Sequence, residues 1–146
     1  VEAVVDAHHR AVHLGNDHFS GGFRGLVDLD LLVLEHGLAP ADFSLDDPAV
    51  KRAKGALFLA FFLLDTFLGD VDPRYAEFVE VLCPSRFRKF ALLGSLDMGG
   101  LVSGSWQKSE RLCKAVMQVA LIDSAAYRVA YPWYQAILLG LKAARS

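Results

Sequence analysis

Cysteine is scarce in this chain. Only Cys83 and Cys113 occur among 146 residues, with no CxxC spacing between them, so neither a disulfide framework nor a thiolate metal site is indicated and two reduced, buried thiols are expected. Long apolar runs are also missing. The most apolar stretch, residues 55–64, is bounded by Lys51, Arg52 and Lys54 on one side and Asp65 on the other, too short to cross a bilayer. No basic-then-apolar leader precedes a small-residue cleavage site, which makes the cytoplasm the expected location and gives no membrane partner. Neither sign of charge dominates: 15 Lys and Arg face 17 Asp and Glu, for a net charge of −2, so no overall field draws nucleic acid or an anionic surface. Aromatics and bases are not interleaved as in a single-strand binder, and nucleic acid is not an expected partner. No serine lies in a GxSxG context, and the glycine-rich "GSLDMGG" lacks the Gly-Lys-Ser ending of a phosphate loop. The chain begins at Val1 rather than Met, and the expectation is a processed or truncated product.

What is present is ordinary globular material. Hydrophobic residues make up 53% and charged residues 22%, the mean hydropathy is +0.31, and the length fits one domain. Apolar residues recur mostly at three- and four-residue spacings with little β-branched alternation, which predicts helix almost throughout. A first helix is expected over residues 2–14 and a second over about 23–36, stopped by Gly37. Asp47 before Pro48 is an N-cap followed by proline at the first helical position, opening a long helix to about Leu68. Asp72 before Pro73 repeats that signal for a helix ending near Cys83, ahead of Pro84. Further helices are expected over about 85–96, over 106–122, and from Asp123 onward, the last kinked or divided at Pro132. The expected architecture is an all-α, single-domain bundle of about seven helices spanning 1–146. Its core should form around the helices at 47–68 and 106–140, which are apolar on more than one face. Leu63 and Leu121 are expected core positions, and Phe58, Phe61, Phe62, Phe67, Tyr127, Tyr131, Trp133 and Tyr134 are packing aromatics.

Charge is unevenly divided along the chain. Residues 1–72 carry −7 and residues 73–146 carry +5. Within the basic half, Lys108, Arg111 and Lys114 recur at steps of three along one side of a helix, a face suited to an anion, to water, or to the acidic half of the same or another copy.

Two constellations bear on chemistry. Asp28 and Asp30, after "GGFRGLV", have the i, i+2 spacing of paired metal carboxylates in polymerase-β-type nucleotidyltransferases. On a strand the two would face one side, but on a helix they diverge, and helix is the reading here. Arg24 and Asp28 are then four apart and form an expected structural polar pair. The second constellation is histidine: four of the five lie between residues 8 and 18. His9 and His13 are one turn apart and Asp17 extends the series, so His9, His13 and Asp17 are a candidate set for a divalent metal. A polar network with the neighbouring helix, and plain surface histidines, are the alternatives. No cofactor is otherwise expected.

The run "DAHHRAVHLGNDHFSGGFRGLVDLDLLVLEHG", a His-rich helix, a polar loop and then Arg-x-Leu-x-Asp-Leu, resembles the helical C-terminal region of a family of uncharacterised bacterial nucleotidyltransferases. "RLCKAVMQVALIDSAAYRVAYPWYQ" looks like that family's late Leu-rich helix. Arg24, Leu26, Asp28 and Leu29 carry the match. In that family the transfer site lies in a preceding α/β domain that this sequence does not contain. The resemblance therefore implies a non-catalytic accessory or binding domain, with a catalytic nucleotidyltransferase domain as partner. A small metal-binding helical protein and an oligomeric interaction module, in which the acidic half of one copy meets the basic half of another, are the alternative readings.

Overall fold

A computed structural model describes residues 2–16, 23–96 and 110–121. Among them are six α-helices and no strand: α1 (Glu2–Asn16), α2 (Arg24–His36), α3 (Pro48–Leu68), α4 (Arg74–Val81), α5 (Arg86–Ser95) and α6 (Glu110–Leu121), with a 3-10 turn at Pro40–Asp42 between α2 and α3. The chain is all-α, as the apolar spacing predicts. The segment after Leu121, with Asp123, Pro132 and the late aromatics, lies outside the described residues, as do residues 106–109 at the expected start of the preceding helix.

The helix boundaries follow from local chemistry. Gly37 adopts the left-handed conformation (φ 57°), and its N–H and that of Leu38 donate to the carbonyls of Leu34 and Val33 at 3.3 and 3.0 Å. This closes the end of α2 at a residue without the Cβ that penalises positive φ. At the start of α3, Pro48 occupies the first helical position and Lys51 N–H donates to the Asp47 carbonyl at 2.9 Å. Before α4, the Asp72 carboxylate accepts the Arg74 N–H at 3.1 Å and so caps the helix.

Helix α3 is the hub, packed against α1, α2, α4, α5 and α6. Residues 55–61 of α3 are buried without interruption for nearly two turns, the mark of a helix enclosed on all sides rather than one lying on a surface. Leu57, Phe58, Leu59, Ala60, Phe61 and Leu63 are fully sealed from solvent. Phe62 is only partly buried, and Phe67 is exposed, its ring edge-on to Phe23 at 4.7 Å. Leu121 is partly buried against the same core.

An aromatic cluster fastens the 3-10 segment and α4 onto α3. Phe61 and Phe78 stack with ring centroids 4.3 Å apart and planes within 8°. Phe43, which follows the 3-10 turn, packs edge-on against both at 5.6 and 5.5 Å. On the opposite side, α1 and α2 approach closely where Gly25 meets Leu14; a Cβ at Gly25 would collide with the Leu14 side chain.

Candidate functional site

Helix α2 carries most of the residues singled out in the sequence, and its helical geometry decides what they do. Asp28 and Asp30 point to different neighbours. Asp28 Oδ2 lies 4.0 Å from Arg10 Nη1 on α1, while the Asp30 carboxylate accepts a hydrogen bond from the Tyr75 hydroxyl on α4. The two carboxylates diverge as the 100° step per residue requires, so they do not converge on one metal ion. Arg24, expected to pair with Asp28, is exposed at the start of α2, and a cation of α1, Arg10, also faces Asp28. Packing of α1 across α2 supplies a partner that spacing along one helix does not reveal.

The Asp30–Tyr75 contact is part of a small polar cluster. Tyr75 is fully buried, with its ring stacked on Phe61 at 6.3 Å and 28°. Burial, together with the hydrogen bond to Asp30, pushes its phenol far above the ordinary range. Beside it the Arg74 guanidinium grips Asp72 through Nε at 2.9 and 3.1 Å and Nη2 at 2.6 Å. Those side-chain hydrogen bonds hold the Asp72 carboxyl below the usual carboxylate range and raise Arg74 in turn. The cluster joins the end of the α3–α4 connection to α2. Its donors and acceptors are matched to one another, which is the chemistry of a clasp.

The histidines divide between two sides of α1. His9 and His13 are exposed, one turn apart as expected, and Asp17 lies outside the described residues. Among the described residues, no three His, Cys, Asp or Glu side chains are placed to hold a metal ion. His8 turns inward instead. Its Nε2 is sealed from solvent and has no hydrogen-bond partner among the described residues. Sequence reasoning passed over His8, although buried Ala7, Ala11 and Leu14, with partly buried Val4, trace a face to which it adjoins. Lys108 of the expected anion-binding stripe lies outside the described residues, as do the side chains of Arg111 and Lys114.

A solvent-open groove of about 570 Å³ runs between the first turn of α1, the end of α2 and the 3-10 turn, lined by Glu2, Asp6, His36 and Asp42 among others. Asp42 is already engaged, accepting the Ala39 N–H at 2.8 Å.

Two surfaces remain that neither the core nor these polar contacts account for. On α2, Val27, Leu31 and Leu34 are 51, 55 and 50% exposed, whereas Leu26, Leu29, Leu32 and Val33 are buried. On α5, Phe87 and Phe90 are 90 and 79% exposed. Compared with known protein families, characterised proteins and solved structures, the chain has no match. No helix among the described residues is long and apolar enough to cross a membrane.

Proposed function

We propose that this chain is a helical binding domain, accessory to chemistry carried by a partner, and that α2 is the element through which it is used. One observation carries the reading. Val27, Leu31 and Leu34 recur at steps of four and three, forming a continuous aliphatic row on the side of α2 opposite its buried residues. Each is half exposed, where a merely solvated helix face would be polar. Contiguous apolar surface of this kind marks protein contact sites. The row lies within the segment that resembles the helical C-terminal region of nucleotidyltransferase-like proteins, which supports a catalytic nucleotidyltransferase domain as the class of partner, in the cytoplasm. Asp30 fits that role, since the hydrogen bond it accepts from Tyr75 ties the helix to α4.

The test places a photo-activatable benzophenone side chain at position 31, and at exposed position 80 on α4 as control, in the cells that make the protein. Crosslinks specific to position 31 that contain a nucleotidyltransferase domain or a second copy are the expected result. Equal crosslinking at both positions overturns the reading, as does nucleotidyl transfer by the purified chain given nucleoside triphosphates and Mg²⁺.

A further inference from the structure

The outer face of α1 takes no part in the core. At the 100° step per residue, Glu2, Asp6, His9 and His13 fall within about 60° of one another around the helix, and all four are exposed. On the far side Ala7, Ala11 and Leu14 are buried, and α1 packs against α2, α3 and α6. The helix is therefore fixed by its inner face while the polar row stands in solvent. His8 lies one step off the row and turns inward, so the histidines of α1 contribute a pair to this face rather than a trio.

Residues one helical turn apart have Cβ atoms about 5 to 6 Å from each other, a spacing at which two imidazoles reach a single metal ion. Imidazole nitrogen suits Zn²⁺, Ni²⁺ and Cu²⁺, whereas hard ions such as Mg²⁺ prefer oxygen. One ring nitrogen of each histidine is enough, and the other keeps whatever hydrogen bond it makes. The charges along the row also favour a cation. Asp6 and Glu2 lie one and two turns before His9, while Arg10, the cation that borders the row, faces Asp28 on α2 at 4.0 Å.

We propose that His9 and His13 form a two-point chelating site for a divalent transition-metal ion on the outer face of α1, with Asp6 and Glu2 supplying attraction rather than bonds. Two protein ligands leave the remaining positions of the ion to water or to a donor from another molecule. The site belongs to α1 alone and does not depend on α2 being a contact surface. Because the helical backbone sets the distance between the rings, unfolding separates them, and the ion binds the folded chain in preference to the unfolded one.

The experiment is calorimetric titration of Ni²⁺ into the full chain, purified without a metal-affinity tag and stripped with a chelator, with melting temperatures read alongside. The variants are His9→Gln, His13→Gln, His8→Leu and His36→Gln. His9 and His13 are exposed, so the circular dichroism of their variants should match the wild type and separate loss of metal from loss of fold. The wild type is expected to take up one Ni²⁺ per chain and to melt at a higher temperature as the ion is added. Each of His9→Gln and His13→Gln should bind at least about tenfold more weakly, since loss of either ring ends the chelate. His8→Leu should keep the wild-type affinity, and excess Mg²⁺ should not displace Ni²⁺.

A wild type that takes up no stoichiometric Ni²⁺ overturns the proposal, as does wild-type affinity in either single variant of the pair. Displacement of Ni²⁺ by Mg²⁺ would mean that carboxylates hold the ion, which also overturns it. Loss of binding in His36→Gln with none in His9→Gln or His13→Gln would move the ion to the groove that His36 lines with Glu2, Asp6 and Asp42, and the α1 pair would be withdrawn. None of these results bears on crosslinking at position 31, so the two proposals stand or fall separately.

Discussion

Arg88 Nε donates to the main-chain carbonyl of Ala120 at 2.6 Å, and its Nη2 donates to that of Leu121 at 3.1 Å. The two bonds tie α5 to carbonyls of the last described turn of α6, and hydrogen bonds from a charged donor are among the stronger ones. The guanidinium passes directly over Gly55 of α3; a Cβ there would collide with it. Arg88→Ala is expected to destabilise the fold by about 2 kcal/mol, and Arg88→Lys to recover only part of this, because an ammonium does not reproduce the fork. Gly55→Ala should also destabilise, despite alanine's better helix propensity, since the guanidinium must leave its carbonyls. Chemical denaturation of the three variants measures these differences.

Tyr75 predicts an alkaline limit to stability. Its phenol is raised above the ordinary value of about 10 in the folded state. The folded form therefore holds a proton that the unfolded form releases, and stability present below pH 10 declines above it. Tyr75→Phe should remove this dependence from the difference between the two proteins, and lower stability at neutral pH by about 1 kcal/mol through loss of the hydrogen bond to Asp30. At the acid end the sign reverses for Asp72. Its folded carboxyl is lowered, so its contribution is present above the unfolded value and is lost as pH falls through the folded one. Asp72→Asn should make the acid transition less steep. Denaturant titrations across pH read both ends.

His8 makes the opposite kind of prediction, a gain. A ring nitrogen sealed from water without a partner costs the folded state its lost hydration. His8→Leu is expected to raise stability by about 1 kcal/mol, visible as a higher melting temperature. An unchanged or lower melting temperature would mean that Nε2 is satisfied in solution.

Core and surface should separate cleanly. Leu63 is fully buried, and Leu63→Ala is expected to cost about 2 to 5 kcal/mol. Leu121, only partly buried, should cost less. Asp28→Asn should change stability by no more than about 0.5 kcal/mol, because the pair with Arg10 is long and both side chains are more than two-fifths exposed. A larger loss would give Asp28 a structural role beyond that pair.

The helices were legible in the sequence because each has local punctuation: Gly37 as a stop, Asp47 before Pro48, Asp72 before Pro73, Pro84. The central place of α3 was legible as one of two apolar helices expected to carry the core, since residues 55–64 are apolar on every side; most of the other, 106–140, lies outside the described residues. Polar partnerships were not. Arg24 is the nearest cation to Asp28 along the helix, but Arg10 and Tyr75 reach α2 only after α1 and α4 have packed, and no spacing rule encodes contacts between elements so far apart in sequence. The histidines show the intermediate case. The apolar line Val4, Ala7, Ala11, Leu14 was readable and places His8 beside it, but i, i+4 metal spacing drew attention to the exposed pair His9 and His13.

The seating of α2 bears on how it would receive a partner. With Leu26, Leu29, Leu32 and Val33 buried and Asp30 bonded to Tyr75, the helix bearing Val27, Leu31 and Leu34 is held in place before any contact is made. A pre-organised platform loses little conformational freedom on association, so an incoming chain meets a surface whose ordering entropy was already lost when the bundle folded.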